Sequence, residues 1–304
     1  MHAAASELDI DGRTVRVTNL QKVLYPASGF TKAQVIDYYA RIADVLLPHL
    51  QKRPVTLKRY PDGVDAEFFY EKNAPAHRPP WLKTTPVWSD TRGGDIAYCV
   101  LGDRASLVWA ANLASLELHT FLHRAPRLAC PGSVVFDLDP GPPASIVECC
   151  TVALALRKLF TGHGLDCIAK TSGSKGLQLY VPLNTPTTYE RTKPFAQRVA
   201  ECIRESAPAL VVTQMRRALR PGKVFIDWSQ NDPHKTTVSV YSLRARSTPT
   251  VSTPVSWAEV QKCARSRDPQ MLVFDSAAVL QRVKRRGDLF EPMLTLRQRL
   301  PVGL

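Results

Sequence analysis

The chain has 304 residues, enough for a large core in one domain or two. Its 40 Lys+Arg against 27 Asp+Glu leave a net charge of +13, which favours a polyanionic partner, most simply nucleic acid. Apolar residues make up 44%, yet no run reaches the roughly 18 needed to span a membrane. The seven cysteines form no C-x-x-C pair, so a reducing cytoplasm with buried thiols is expected rather than disulfides or zinc. The first residues lack a basic stretch followed by an apolar one, so no signal peptide is expected.

The pattern predicts a strand at Arg13 to Val17, a turn at Tyr25–Gly29, and a helix capped by Thr31 through Val35, Tyr38, Tyr39, Ile42, Val45 and Leu46. Strands follow at Arg53 to Arg59 and Glu67 to Lys72 around a Pro61-Asp-Gly63 turn. Residues 73–94 read as Pro-rich and irregular, then a strand at Ile96 to Leu101 and a helix from about Arg104 to Leu118. Beyond an apolar strand ending at Asp137 come a helix (Ile146 to Phe160) carrying Cys149 and Cys150, and strands at Ile168 to Thr171 and Leu177 to Val181. A helix at Tyr189 to Glu205, a strand ending at Asp227 and another at Thr236 to Tyr241 precede short helices and a basic tail. Helices and strands mix throughout without a clear linker. The expectation is an α+β (mixed α/β) fold, one bilobed domain around central sheets with its core at about 13–290.

Three aspartates close apolar runs: Asp137 and Asp139 in Val134-Val-Phe-Asp-Leu-Asp139-Pro, and Asp227 in Val224-Phe-Ile-Asp227. Side chains at i and i+2 of a strand share a face, so Asp137 and Asp139 point the same way. Two close carboxylates raise each other's pKa unless a cation joins them. A third on a neighbouring strand would complete an oxygen cage for one or two Mg²⁺ or Mn²⁺ ions. For Asp139 alone, an N-cap or turn in Asp-Pro-Gly is an equal reading. Between the motifs, Lys170-Thr-Ser-Gly-Ser-Lys-Gly176 joins two strands. Gly173 and Gly176 let backbone N–H groups approach an anion, while Ser172 and Lys175 add a hydroxyl and a charge. The spacing is not that of a Walker loop.

Phe136-Asp137-Leu-Asp139-Pro, Thr171-Ser-Gly-Ser-Lys-Gly-Leu177 and Val224-Phe-Ile-Asp227-Trp-Ser-Gln-Asn231 together closely resemble the polymerase domain of bacterial ligase D, in the archaeo-eukaryotic primase superfamily. The likeness extends to Val17-Thr-Asn19, Lys22-Val-Leu-Tyr-Pro26, Leu116-Glu-Leu-His119 and Tyr241-Ser-Leu-Arg244. The resemblance implies template-directed nucleotidyl transfer with two Mn²⁺ or Mg²⁺ ions held by Asp137, Asp139 and Asp227. It implies NTP or dNTP binding by Lys58, His119, Ser172, Lys175, Gln178, Gln230 and Arg244. It further implies a pocket for a DNA 5′-phosphate at Asn19, Lys22 and Lys32, template stacking on Phe69 and Tyr70, and a backbone contact by Arg220. Without the resemblance, the lysines read as surface lysines, and the aromatics equally well as strand core. The implied partners are gapped or broken DNA, a separate or fused ligase and an end-binding protein, in the bacterial cytoplasm and nucleoid.

One position departs from the family pattern. Gln178 stands where the family has histidine, and a neutral amide replaces a group that can be charged. The expectation is weaker triphosphate binding with the chemistry retained. Two other readings share some of the features: a haloacid-dehalogenase-type phosphatase with Asp137 as nucleophile, and a non-catalytic module that binds or bridges DNA ends.

Overall fold

The computed structural model describes residues 5–301. Two compact units are present. The first holds the chain up to Pro126 with Thr236–Val251 and Asp275–Gly287. The second holds Arg127–Lys235, Ser252–Phe274 and the chain from Asp288 on.

In the first unit, helix Lys32–Leu50 starts where Thr31 and Gln34 form a reciprocal capping box, as the sequence suggests. Val35, Tyr38, Tyr39, Ile42 and Leu46 form its buried stripe. The Tyr39 hydroxyl donates to the Leu116 carbonyl at 2.7 Å and the Tyr38 hydroxyl to that of Tyr241 at 2.8 Å, tying the stripe to the sheet. That sheet runs Thr237–Val238, Ser115–Thr120, Val55–Arg59, Gly94–Cys99 and Thr84–Ser89, with Phe69–Glu71 also paired to Val55–Arg59.

Three sequence expectations change here. Ala5–Ile10 forms a hairpin with Arg13–Thr18 around Asp11 and Gly12, both at positive φ as a two-residue turn requires. Residues 84–89 form a strand despite Pro86, because the strand lies at a sheet edge, where a missing N–H costs least. The helix expected to reach Leu118 stops at Asn112. Ala114 then takes a left-handed conformation, and Ser115–Thr120 is claimed by pairing with Val55–Arg59.

In the second unit the sheet order is Val211–Val212, Val224–Asp227, Ser133–Pro140, Leu177–Pro182, Ile168–Thr171 and Pro254–Val255. Only the first pair is parallel. One face is apolar: Val134, Phe136, Leu138, Leu177, Leu179, Val181, Val224 and Ile226 are fully buried. Helices Ile146–Gly162, Tyr189–Ser206 and Trp257–Ser266 contribute to the same core. Each such side chain is worth about 1.5–3 kcal/mol on burial, so the register of this sheet is strongly fixed and its opposite face is free to carry polar groups. Cys149 and Cys150 are buried on their helix, and every cysteine is a free thiol. Among the described residues, no helix is long and apolar enough to cross a membrane.

Candidate active site

On the polar face of the second unit's sheet, the register aligns a row of four residues. Asp137 lies opposite Asp227 on one neighbouring strand and opposite Gln178 on the other, and Gln178 lies opposite Lys170. Asp139 follows two residues on, opposite Phe225 and on the same face as Asp137. Directly opposed residues have Cβ atoms about 4.5–5.5 Å apart, so the three carboxylates expected to meet are brought to one patch.

Lys170 is 1% exposed. Its Nζ donates to Gln178 Oε1 at 2.6 Å and Ser252 Oγ at 2.7 Å. Gln178 in turn hydrogen-bonds to Asp137, so a neutral amide links a buried ammonium to the carboxylate. Asp227 has a comparable arrangement. Its Oδ1 accepts from the Ser229 N–H (3.0 Å) and hydroxyl (2.5 Å), and Oδ2 from Gln230 Nε2 at 2.8 Å. Lys235 Nζ donates to the Ser229 hydroxyl at 2.5 Å. Gln230 therefore attends a carboxylate in this structure.

Burial raises the Asp137 pKa, and the charges of Asp139 and Asp227 push the same way; Gln178 and Lys170 pull it down only in part. Asp137 Oδ1 is buried with no hydrogen-bond partner. An orphaned carboxylate oxygen beside two further carboxylates is the donor set that a hard divalent cation takes. Among the described residues, no three His, Cys, Asp or Glu side chains are gathered into a ready-made cage; Asp227 is engaged by Ser229 and Gln230 instead. Asp137 and Asp139 offer the kind of oxygen donors such an ion takes, and Asp227 stands across the strand from Asp137, held by Ser229 and Gln230.

Two glycines press loops onto the acidic strand. A Cβ at Gly176 would collide with the Leu138 carbonyl, so the Ser172–Gly176 loop can lie over the Asp137–Asp139 strand only with glycine there. Within it, the Ser172 hydroxyl accepts from the N–H groups of Ser174 (3.2 Å) and Gly176 (3.1 Å), and Lys175 stands exposed. A Cβ at Gly141 would strike the Arg220 carbonyl. Arg220 folds back, its guanidinium 3.8 Å from the Phe225 ring centroid and Nη2 donating to the Met215 carbonyl.

The first unit gathers a second group. Lys58 lies opposite Tyr70 on one side and Glu117 on the other, and Thr56 lies opposite His119. The Lys58 ammonium is 4.0 Å from the centroid of Phe68, 5.2 Å from that of Tyr60 and 5.4 Å from that of Tyr70. Glu117 Oε2 is 2.9 Å from His119 Nε2 and 3.9 Å from Lys58 Nζ; Oε1 is 3.2 Å from Arg244 Nε. Burial would raise the Glu117 pKa, but the His119 hydrogen bond and the charges of Arg244 and Lys58 outweigh it and hold the carboxyl at about 2. Burial lowers His119 despite Glu117. Phe69 and Tyr70 are 44% and 52% exposed, on a short strand paired along one edge only, which settles their open reading: they are not core. Arg59 covers one face of Phe69 at 5.0 Å and pairs with Glu71.

Asn19, Lys22 and Lys32 also converge. Asn19 is left-handed, its carbonyl accepts from Lys22 N–H at 2.9 Å, and the Lys22 carbonyl accepts from Lys32 N–H at 2.8 Å. Lys22 pairs with Asp62 at 2.6 Å, an exposed ion pair of little energetic weight. Lys32 is 6% exposed with Nζ 3.5 Å from the Thr18 hydroxyl. Burial, then repulsion by Lys22 and Arg59, lowers its pKa to about 8. The sequence gives no signal for the partners Ser229, Lys235, Ser252, Tyr60 and Asp62, and assigns no role to Lys170, Glu117 or Phe68. A lysine inside an apolar strand was the available signal for Lys170.

The profile described as "LigD, primase-polymerase domain" matches residues 31–290. The "Multifunctional non-homologous end joining DNA repair protein LigD" of Mycobacterium tuberculosis strain H37Rv is 43% identical over 287 residues, 91% of this chain and 36% of that protein. The "Bifunctional non-homologous end joining protein LigD" of Bacillus subtilis is 32% identical over 274 residues, 90% of this chain and 43% of that protein. The chain thus spans well under half the length of these relatives. The solved "Polymerase Domain from Mycobacterium tuberculosis Ligase D in complex with DNA" superimposes with a TM-score of 0.86 at 41% identity, covering 93% of this chain and 99% of that one.

Proposed function

From the premise that this chain belongs to the LigD primase-polymerase family of nucleotidyltransferases, we propose that it fills short gaps and extends DNA ends during non-homologous end joining. The observation that carries this reading is the cross-strand row of Asp227, Asp137, Gln178 and Lys170 with Asp139 on the same face. Asp137, Asp139 and Asp227 would hold the two divalent ions, Mn²⁺ or Mg²⁺. When bound, such ions would activate the attacking oxygen and offset the charge of the triphosphate and its pyrophosphate leaving group.

This chain's own residues do the rest. The Asp137 carboxylate, half-satisfied without metal, keeps an acceptor open; Gln178 orients it and brings the Lys170 charge to bear. Ser172 and Lys175 attend the triphosphate in the second unit. Lys58 and Arg244 supply the cationic nucleotide-binding groups of the first, and His119 adds an imidazole that burial keeps toward its neutral form. Gln230 joins the nucleotide set only if it leaves Asp227. Phe69 and Tyr70, exposed and aromatic, suit stacking on unpaired template bases. Asn19, Lys22 and Lys32 bind the 5′-phosphate across a gap, and Arg220 contacts the DNA backbone on leaving Met215. Gln178 in place of the family histidine weakens the hold on the triphosphate and leaves the chemistry intact. Residues 13–290 act as one primase-polymerase domain in the bacterial cytoplasm, on nucleoid DNA, with an end-binding protein and a ligase supplied in the same or a separate chain.

Family membership removes the phosphatase alternative. The end-binding module is decided by experiment: primer extension on a gapped duplex, with and without a 5′-phosphate, comparing Mn²⁺ with Mg²⁺ and NTPs with dNTPs. Templated addition stimulated by the phosphate is expected. Tight DNA binding with no addition under any condition would favour the module.

A further inference from the structure

Glu117 is a carboxylate with a 3% exposed side chain, placed among the groups that the proposed function assigns to the nucleotide. Its two oxygens divide those groups between them. Oε1 faces Arg244 Nε at 3.2 Å and accepts from the Ala245 N–H at 3.1 Å. Oε2 takes His119 Nε2 at 2.9 Å and lies 3.9 Å from Lys58 Nζ. We infer that Glu117 is a positioning residue for nucleoside triphosphate binding: it sets the pose of Arg244, His119 and Lys58 before the nucleotide arrives.

The chemistry of each contact supports this. Glu117 Oε1 forms an ion pair with the Arg244 guanidinium at 3.2 Å, without a hydrogen bond from Nε, and its contact with the Ala245 N–H fixes the backbone that carries it. The backbone anchor and the opposite charge together keep the Arg244 guanidinium beside Lys58 and His119, in the group proposed to meet the phosphate oxygens. His119 is held through one ring nitrogen, which sets its ring orientation. Lys58 is steadied by the carboxylate on one side and by the Tyr60, Phe68 and Tyr70 rings around its ammonium. Held close without Glu117, the Lys58 and Arg244 charges would repel each other, and both side chains would lose rotamer freedom only on binding. One buried negative charge lets them stand together while the group stays net positive toward a polyanion. A buried carboxylate is retained only where such partners repay its desolvation.

The inference rests on the proposed function, and the test separates the two. Binding of ATP with Mn²⁺ is measured opposite template dT, on a gapped duplex with a dideoxy-terminated primer, for the full chain and its variants. Single-turnover addition is measured with an extendable primer. Glu117→Gln keeps the shape and removes the charge. The expected result is about a tenfold higher Kd for ATP, the scale of a lost orientation rather than a lost reaction step. The rate at saturating ATP and DNA affinity should change little, while the melting temperature should fall, because removing a charge held at about 2 leaves the Lys58 and Arg244 charges without their shared counter-charge. Glu117→Asp, one methylene shorter, should fall between, and decides the matter if Glu117→Gln does not fold. In a double-mutant cycle, Glu117→Gln should add less once Arg244→Ala is present than it costs alone, because part of its effect passes through Arg244 and the rest through His119 and Lys58. If Arg244→Ala weakens ATP binding tenfold while Glu117→Gln and Glu117→Asp stay within twofold, the inference falls and the function stands. If wild type binds no ATP and adds no nucleotide, both fall.

Discussion

In the second unit, Asp137 meets Lys170 only through Gln178, and Asp227 meets Lys235 only through Ser229. In the first unit, Glu117 faces Arg244, His119 and Lys58 with nothing between. The same functional group shifts in opposite directions. Asp137 is pushed up by burial and neighbouring acids; Glu117, also buried, is pulled down to about 2 by the His119 hydrogen bond and the charges of Arg244 and Lys58. On the proposed function, the acidic row of the second unit serves a metal, and the positive excess around Glu117 in the first serves phosphate. Burial raises both carboxyls; neighbouring acids add to it at Asp137, whereas the His119 hydrogen bond and the Arg244 and Lys58 charges overturn it at Glu117.

That contrast can be broken at several points. Removing the acid should cost most: Asp137→Ala should abolish Mn²⁺ binding by calorimetry and slow nucleotide addition by about 10³-fold, the loss of several kcal/mol of charge stabilisation. Retained Mn²⁺ affinity would place the metal elsewhere. Lys170→Met should act one step out, lowering Mn²⁺ affinity by about tenfold as an outer-shell partner does. An unchanged Mn²⁺ titration would make Lys170 a matter of packing alone.

The first unit's lysine pocket offers a pH test. Lys32, held near 8, is charged below that pH and neutral above it. The advantage conferred by a 5′-phosphate in DNA binding should be full at pH 7 and decline by pH 9. Lys32→Ala should remove both the advantage and its pH dependence. The unfolded chain holds this proton up to about 10.4, so its contribution to stability rises with pH between the two values. A phosphate advantage that is flat to pH 9.5 would contradict the depressed value. Gln178→His should have the smallest effect, a few-fold lower KM for nucleotide with kcat little changed; an unchanged KM would remove Gln178 from triphosphate binding.

How far the sequence carried this picture follows from what is local. Asp137 and Asp139 are legible because two residues of a strand share a face whatever lies beside them. The capping box at Thr31 and the buried stripe of its helix are equally local. The row that joins Asp227 to Lys170 depends on pairing between strands far apart in sequence, and no spacing rule gives that register. Glu117 was hidden for another reason. Residues 104–118 suit a helix by pattern, but the left-handed Ala114 and pairing with Val55–Arg59 turn Ser115–Thr120 into a strand, and only then do Glu117 and His119 share a face. Pro86 concealed a strand in the same way, since the edge position that tolerates it is a tertiary fact.

The most direct test lies at Asp227, the carboxylate that Ser229 and Gln230 hold in this structure. Single-nucleotide addition to a gapped, 5′-phosphorylated duplex should be compared for wild type and Asp227→Ala, with DNA affinity measured on the same substrate. A two-metal centre predicts addition lost and DNA binding unchanged. Addition at the wild-type rate would contradict it, because an aspartate serving only to cap the Trp228–Gln230 turn can be removed without stopping the chemistry.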